Sequence, residues 1–117
     1  NETEGVGIYE LRKYQLQLGY DTVPQFLDHF LKGLPSKLNA KGTNHTTKLI
    51  SLLNTEVGNI NEVIEVWRHG STDAMQESRI AARNATEWKY AITSIAKLAL
   101  NFETTIYKPC LPFSPMK

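Results

Sequence analysis

The chain has 117 residues, a length that supports one domain with a hydrophobic core of modest size. Its formal net charge of +1 excludes the broad basic field of a non-specific nucleic-acid binder, and no run of about 18 apolar residues is present that could span a membrane. The single cysteine, Cys110, excludes an internal disulfide and a zinc site built from several cysteines.

Alternating side-chain character predicts a first strand over residues 8–16, after a polar segment, residues 1–7, that is expected to be disordered. A helix follows, in which Thr22 is the expected N-cap and Pro35 is expected to end the helix after Leu34. Its apolar residues recur at helical spacing and form one stripe: Val23, Phe26, Leu27, Phe30, Leu31 and Leu34.

Two further strands are predicted, joined into an antiparallel hairpin by the turn at Gly58 and Asn59. The first covers residues 47–55. The second covers residues 60–68, where alternate side chains point to opposite faces and one face carries Asn61, Val63, Glu65 and Trp67. Because that face mixes polar groups with an indole, it suggests a lined cavity and not only a core.

The second half of the chain is predicted to contain two helices and one more strand. Ser71 or Thr72 caps the first helix, which extends to about Arg83 and presents small residues for close packing. Thr86 caps the second helix, which carries its own apolar stripe. The last strand is expected over residues 102–108.

The order of elements, β-α-β-β-α-β with the second helix split, predicts an α+β fold of the ferredoxin-like type. Its antiparallel sheet has the order 4-1-3-2, with the helices on one face and the other face open. We assign Tyr14, Val63 and Trp67 to the open face, where large apolar groups favour burial against a second domain of the same fold. The prediction is a single dimeric α+β barrel domain over residues 8–117, with these three residues in the dimer interface.

The same open face is predicted to hold a ligand cavity, because the first strand lies between the third and the fourth in this sheet order. The candidate cavity residues are Glu10, Arg12, Tyr14, Asn61, Glu65, Trp67, Glu103 and Tyr107. A carboxylate, a guanidinium, a phenol and an indole side by side suit a small polar or aromatic ligand. Alternatively, pairs such as Glu10–Arg12 or Arg12–Glu65 only neutralise charge that is buried at a dimer seam.

No established catalytic pattern occurs, and the candidate catalytic residues are Glu10, Arg12, His45 and Tyr107. His45, in a polar loop near the expected mouth of the barrel, is either a general base or a solvated loop residue. The three histidines are spread over the chain without a paired ligand, so no metal site is predicted. No Gly-rich phosphate-binding motif is present, and no cofactor is expected.

Four short motifs in the same order resemble those of the NIPSNAP family. Residues 9–14 (YELRKY) are similar to its Y-E-L/F-R-x-Y opening, and residues 58–67 (GNINEVIEVW) to its G-x-L/I-N-x-V-x-x-L/I-W strand. Arg79 and Arg83, followed by Trp88, resemble the basic helix that runs to a tryptophan in that family. The final PFSPMK resembles the F-S-P-L/M end of the last domain in the family.

The resemblance implies a dimeric α+β barrel, often present as two domains in tandem. The F-S-P ending implies that this chain is the C-terminal domain, with an upstream domain and any mitochondrial targeting segment outside it. Family members are linked to mitochondria, vesicular transport and mitophagy signalling through protein contacts, and no catalytic residues can be carried over. One departure is the loop at residues 39–46, which is more polar than the corresponding segment in the family.

Two classes of function follow from the sequence. The first is a non-enzymatic protein-interaction domain of a mitochondrial or cytoplasmic trafficking protein, paired with a second copy or with an upstream domain of the same fold. The alternative is a small cofactor-independent enzyme of the monooxygenase or isomerase type, or a small-ligand sensor, that uses the cavity. An enclosed pocket with convergent polar groups would favour the alternative. The basic pair Arg79 and Arg83 is interpreted as a solvated helix face or as a contact for an acidic partner surface.

Overall fold

A computed structural model describes residues 6–114. The elements of this structure are β1 Ile8–Leu16, α1 Thr22–Leu38, β2 Lys48–Asn54, β3 Glu62–His69, α2 Thr72–Arg83, α3 Thr86–Ala96 and β4 Ala99–Tyr107. Disorder was predicted for residues 1–7, of which residues 1–5 lie outside the described part of the chain. The last three residues of the PFSPMK motif lie outside it as well. The predicted number and order of strands and helices are confirmed.

The four strands form one antiparallel sheet in the order β2-β3-β1-β4, which is the predicted order read from the other edge. The registers place Arg12 opposite Glu65 of β3 on one side and opposite Thr104 of β4 on the other. Since directly opposed residues share a sheet face, the registers define two faces. We call the face that carries Glu10, Arg12, Tyr14, Glu65 and Trp67 the inner face, and the opposite one the outer face.

The three helices all pack on the inner face, where the hydrophobic core lies. The rings of Tyr14 and Phe26 meet edge to face with centroids 5.1 Å apart, and Phe30 meets Trp88 in the same way at 5.6 Å. Val63 and Trp67 are fully buried in this core. The prediction that Tyr14, Val63 and Trp67 lie on the open face and form a dimer interface is therefore wrong, because α1 and α3 already cover them.

The helix ends differ from the prediction in three places. Thr22 and Thr86 are the first residues of α1 and α3 and not their N-caps, which are Asp21 and Ala85 and form no side-chain capping bond. The third difference is at Pro35. Pro35 does not end α1, which continues to Leu38, since a proline in the last turn removes one hydrogen bond without displacing the residues after it. At α2, the Ser71 hydroxyl accepts a hydrogen bond from the Ala74 amide at 3.0 Å, as expected of an N-cap. The C-terminal end of α1 therefore reaches far enough to bring Lys37 over the sheet.

The outer face has no helix against it in the described part of the chain. Its central side chains Leu11, Ile64 and Val66 are half-buried, and Tyr107 is half-exposed at the edge. Residues 109–114 after β4 lie beside one end of this face and help to bury Tyr9. The outer face is thus the open side of the sheet, and its middle is apolar.

Candidate functional site

The candidate site is a cavity between the sheet and the helices, along β4. The helices lie over β2, β3 and β1, so the inner-face residues of β4 are left uncovered, with Phe102 43% and Ile106 38% exposed. The resulting cavity has a volume of about 620 Å³. A second hollow of about 460 Å³ adjoins it toward the end of α3 and shares Arg12 and Phe102 with it. This space is large enough for a small organic ligand.

The wall of the main cavity combines positive charge with apolar surface. Its residues are Arg12, Lys37, Arg79, Ala82, Arg83, Trp88, Lys89, Ile92, Thr93, Phe102 and Thr104. Five of these side chains are cationic and none is acidic. Between them lie the indole of Trp88, the ring of Phe102 and the aliphatic side chain of Ile92. The wall therefore suits an anion with an apolar or aromatic body.

Glu10 anchors two of these cations from behind the wall. One of its oxygens accepts from Arg12 Nη1 at 3.2 Å and from Arg79 Nη2 at 3.0 Å, and the other lies 2.9 Å from His69 Nε2. Burial opposes ionisation of Glu10, but the hydrogen bond from His69 and the charges of Arg12 and Arg79 outweigh it and lower the pKa of Glu10 to about 2. This carboxylate is therefore charged at neutral pH and holds both guanidiniums in place.

Glu65 is the second carboxyl group behind the wall, in a drier environment. It is 0% exposed, accepts a hydrogen bond from Trp67 Nε1 at 2.8 Å and has its Oε1 atom 3.7 Å from Arg12 Nε. Its Oε2 atom and Arg12 Nε have no hydrogen-bond partner among the described residues. Burial raises the pKa of Glu65 above its usual value, although the charge of Arg12 opposes the shift. The pKa values of the two carboxyl groups are thus shifted in opposite directions because their surroundings differ.

Arg12, which lines both hollows, and Tyr14, which lines the second, form the floor of this space. Arg12 Nη2 donates to the Tyr14 hydroxyl at 3.0 Å, and its Cζ atom lies 4.8 Å from the ring centroid of Phe102. Burial raises the pKa of Tyr14, so its hydroxyl stays protonated at neutral pH. Burial alone would lower the pKa of Arg12, but Tyr14, Glu65 and Glu10 raise it. The floor therefore presents a fixed positive charge that is held from below.

A buried chain of polar side chains braces the site from the far end of β3. His69 Nδ1 lies 2.8 Å from the Thr47 hydroxyl, which lies 2.7 Å from the Ser78 hydroxyl. With Glu10 on the other imidazole nitrogen, this resembles a hydroxyl–imidazole–carboxylate triad. Thr47 and Ser78 are buried, however, and neither lines the main cavity. The chain therefore ties β1, β3, α2 and the loop before β2 together and positions Glu10.

The structure brings together five of the eight predicted cavity residues. Glu10, Arg12, Tyr14, Glu65 and Trp67 share the inner face and are joined through the contacts described above. They do so beneath the helices and not on the open face, as the packing of Tyr14 and Trp67 requires. The predicted pairs Glu10–Arg12 and Arg12–Glu65 are both present, at 3.2 and 3.7 Å.

Of these five residues, only Arg12 and Tyr14 line the two hollows, and four other predicted residues lie away from the cluster altogether. Glu103 and Tyr107 are on the outer face, because their register partners Lys13 and Tyr9 are outer-face residues. Asn61 adopts a positive φ of 55° before β3, and its amide donates to the carbonyl oxygen of Gln17 at 2.8 Å, which is a turn-stabilising role. His45 is exposed in the loop before β2 and is not part of the cavity wall.

Sequence reasoning missed Lys37 altogether. It placed Arg79 and Arg83 on a solvated helix face, where Arg83 is exposed but Arg79 is half-buried against Glu10. Lys37 Nζ lies 4.5 Å from the ring centroid of Trp67 and 4.7 Å from that of Trp88, between the two indoles. Burial, followed by the charge of Arg12, lowers the pKa of Lys37 to about 8. The four-residue spacing of Arg79 and Arg83 before Trp88 was the one signal that pointed to a basic wall.

These observations define the chain as a ferredoxin-like α+β protein whose cavity between sheet and helices is basic and partly aromatic. The NIPSNAP family model matches residues 9–115, so the chain belongs to the NIPSNAP family. A search of curated proteins finds no match. The predicted resemblance is thereby confirmed over nearly the whole chain.

Solved structures with the same fold include other members of this family. A NIPSNAP family protein of unknown function from Agrobacterium tumefaciens is 27% identical, with a TM-score of 0.80, covering 97% of this chain and 96% of that chain. A second NIPSNAP family protein from A. tumefaciens is 25% identical, with a TM-score of 0.78, covering 94% of this chain and 90% of that chain. The family fold is therefore shared over the full length of these relatives.

Two more distant structures share the fold alone. SnoaB, a cofactor-independent oxygenase from Streptomyces nogalater, is 12% identical with a TM-score of 0.60, covering 91% of this chain and 97% of that chain. A dimeric ferredoxin-like protein from an uncultured marine organism is 14% identical with a TM-score of 0.66, covering 96% of this chain and 95% of that chain. The predicted fold class, that of the dimeric α+β barrels, is confirmed by these likenesses.

Two surveys of residues 6–114 bear on the kinds of site available. None of the helices there has the length and apolar content needed to cross a bilayer. Across the same residues, no three His, Cys, Asp or Glu side chains are grouped so that they could hold a metal ion.

Proposed function

We propose that this protein binds a small organic anion with an apolar or aromatic body in the cavity between its sheet and its helices. The observation that carries the proposal is the wall itself, in which five cations surround Trp88, Ile92 and Phe102 without an acidic side chain among them. Arg12 and Arg79 are neutralised in part by Glu10. Lys37, Arg83 and Lys89 form no ion pair within residues 6–114, so their charge is available to a ligand.

The arrangement is a pre-formed binding site. Arg12 is fixed by Glu10, Tyr14 and the Phe102 ring, and Arg79 is fixed by Glu10, so little side-chain entropy is lost when an anion binds. A guanidinium presents paired N–H donors that match a carboxylate, and the low polarity of the neighbouring rings strengthens the charge interaction. The convergent polar groups of this cavity support the ligand-binding alternative, although the cavity is open along β4 and not enclosed.

The test compares a charged probe with its neutral isostere. Isothermal titration with benzoate and with benzamide measures what the negative charge contributes, since the two probes have nearly the same shape. We expect benzoate to bind at least about 10-fold more tightly than benzamide, which corresponds to about 1.4 kcal/mol. Arg83→Met should remove much of that preference, whereas Lys32→Met, on the exposed side of α1 and paired with Asp28, should leave it unchanged. Equal affinity for the two probes in the wild-type protein would refute the proposal.

We also propose that two copies associate through the outer face. Leu11, Ile64 and Val66 make its centre apolar, Leu53 is 54% exposed beside them, and no helix in the described chain covers it. The ferredoxin-like protein of the same fold that is described as dimeric supports this occupant. This proposal moves the expected interface from Tyr14, Val63 and Trp67 to the other side of the sheet.

Sedimentation tests the association. The wild-type chain is expected to sediment as a dimer at tens of micromolar, and Val66→Glu as a folded monomer with an unchanged circular dichroism spectrum, because a charge at the centre of an apolar interface is costly. Ile80→Glu, at a 50% exposed position of α2 on the helix side, is the matched control and should stay dimeric. A dimeric Val66→Glu protein, or a monomeric wild type, would contradict the proposal. A tandem domain in its natural protein would instead occupy this face within one chain.

We further propose, on the family resemblance, that the protein works in mitochondrial or cytoplasmic trafficking through protein partners. Ligand binding in the cavity is compatible with such a role, since a bound anion would link metabolite concentration to the stability of the domain. Fractionation of cells that express the natural full-length protein tests the location, with enrichment in mitochondria or cytosol expected. Confinement to another compartment would remove this part of the proposal.

A further inference from the structure

Lys37 is the one amine placed at the inner end of the cavity. It lies in the last turn of α1, and its Nζ atom sits between the rings of Trp67 and Trp88, 4.5 and 4.7 Å from their centroids. The two indoles cover two sides of the amine, while the side chain still contributes to the cavity wall. No carboxylate oxygen within residues 6–114 forms an ion pair with it. The amine is thus presented to the cavity without being neutralised.

The groups around Lys37 favour its uncharged form. Burial disfavours the ammonium, and the positive charges of Arg12 and Arg79 act in the same direction, while Glu65 and Glu10 oppose them. The balance lowers the pKa of Lys37 to about 8. A lysine that is desolvated next to other cations is a known way of producing a nucleophilic amine at neutral pH. At pH 8 about half of such an amine is neutral, against roughly 0.4% of an exposed lysine.

We propose that Lys37 is a nucleophilic amine that forms a reversible Schiff base with a small oxo acid, whose carboxylate pairs with the cations of the same wall. This inference rests on the proposed anion binding and names the ligand class more closely. Arg79 and Arg83 of α2 provide the carboxylate contacts, and Lys37 of α1 faces the same space. A carbonyl group next to a carboxylate would satisfy both features of the cavity at once.

The step is balanced without any further reactant. The lone pair of the neutral amine forms a bond to the carbonyl carbon, and the carbonyl π electrons move to oxygen. One N–H proton passes to that oxygen, which gives a carbinolamine. The second N–H proton and the hydroxyl group then leave as water, while the nitrogen lone pair forms the C=N bond. The reverse sequence with water releases the oxo acid and restores the amine.

The competing explanation is that Lys37 is structural. An ammonium between two indoles makes cation–π contacts, each worth about 0.5–2 kcal/mol, and these would fasten the end of α1 to the sheet and to α3. Lys37→Arg separates the two roles. An arginine keeps a cation on the aromatic rings but has no nucleophilic amine at pH 8.

The experiment is reductive trapping with pyruvate and sodium cyanoborohydride at pH 8, read by intact mass and peptide mapping. We expect one adduct per chain, located at Lys37 and formed at least about 10-fold faster than at any other lysine. Lys37→Arg, folded as judged by circular dichroism, should lose that adduct. Lys32→Met, which removes an exposed lysine outside this wall, should keep it. Adducts spread evenly over the surface lysines, or an adduct yield unchanged by Lys37→Arg, would overturn the inference.

Two further probes, a neutral carbonyl compound and an unreactive anion, distinguish Schiff-base formation at Lys37 from anion binding in the cavity. Pyruvate is expected to label Lys37 at least about 10-fold faster than its neutral analogue pyruvamide does, and benzoate should slow the pyruvate reaction. Binding of benzoate with no trapped pyruvate would overturn the Schiff base and leave the anion site standing. Equal labelling of Lys37 by pyruvate and pyruvamide, unaffected by benzoate, would overturn the oxo-acid assignment together with the proposed anion binding.

Discussion

Replacement of Glu10 by glutamine tests the charge arrangement behind the cavity wall. The Glu10 side chain is buried and bonded to His69, Arg12 and Arg79. A carboxyl pKa lowered from an ordinary 4.5 to about 2 corresponds to about 3 kcal/mol of folding stability at neutral pH, at about 1.4 kcal/mol for each pKa unit. Glu10→Gln is therefore expected to lower the free energy of unfolding by about 3 kcal/mol at pH 7, and the loss also includes two guanidiniums left without their counter-ion.

The stabilising effect of Glu10 on the folded state is expected to depend on pH. Because the pKa of Glu10 is lower in the folded state, its stabilising effect is fully present above the unfolded-state pKa of about 4.5 and is lost as the pH falls toward 2. Urea unfolding of the wild type and of Glu10→Gln at several pH values between 7 and 2 measures the difference directly. That difference should shrink from about 3 kcal/mol toward zero over pH 4.5 to 2, since a protonated Glu10 resembles a glutamine.

A second carboxyl group serves as the control for Glu10. Glu103 lies on the outer face with its side chain 61% exposed, 3.9 Å from Lys13 Nζ, and exposed pairs of this kind contribute less than about 1 kcal/mol. Glu103→Gln should therefore change the free energy of unfolding by less than about 0.5 kcal/mol at pH 7 and at pH 3. If Glu10→Gln were as stable as the wild type at pH 7, or if its deficit were the same at pH 7 and pH 3, the assigned network would be refuted.

Two further substitutions probe the other buried carboxyl group and the helix packing. Glu65→Gln is expected to raise the free energy of unfolding at pH 7, because burial raises the pKa of Glu65 and ionisation of this group opposes folding. The wild type should lose stability relative to this variant as the pH rises above 4.5. Urea unfolding of both proteins at pH 5 and pH 8 measures this, and a stability difference that is the same at the two pH values would contradict the prediction. Gly33→Ala should cost about 1–3 kcal/mol, because its Cβ would lie 2.6 Å from Ala91 Cβ where α1 crosses α3. In a double-mutant cycle by chemical denaturation, Ala91→Gly should recover most of that loss, and strictly additive effects would argue against a direct clash.

The fold could be predicted from the sequence because its local signals agree with one another. The alternation in β1 and β3, the turn at Gly58 and the apolar stripe that contains Phe26 and Phe30 all demand the same order of strands and helices. Strand order then follows from the ferredoxin-like pattern. Part of the site could also be predicted from the sequence. Glu10, Arg12 and Tyr14 occupy alternate positions along β1 and must therefore share a sheet face.

Lys37 could not be predicted as a site residue. Its position depends on how far α1 continues past Pro35, and the proline favoured an earlier end. Its two aromatic neighbours come from β3 and α3, elements that are separated from it by about 30 to 50 residues of sequence. Contacts of this range depend on the distance and angle at which helices cross the sheet, which local periodicity does not specify. The sequence showed Arg79 and Arg83 as a basic pair on one helix, but it did not show that this pair lines the cavity.

The choice of the inner face was the decisive error, and its cause is physical. The handedness of the β1–α1–β2 crossover fixes the side of the sheet on which α1 lies. It does not fix which alternate side chains point to that side, because a shift of one residue in pairing exchanges the two faces. Both faces mix polar and apolar residues, since Val63 and Trp67 lie on the face of Glu65 while Leu11 and Ile64 lie on the other. Hydrophobicity alone therefore did not decide which face the helices cover. A functional site is where such a reversal is expected, since charges needed by a ligand replace apolar residues on the covered face. The polar inner face beneath three helices is thus itself a reason to regard the cavity as functional. If Arg83→Met lost anion binding without losing stability, the charge of Arg83 would be shown to serve a ligand rather than the fold.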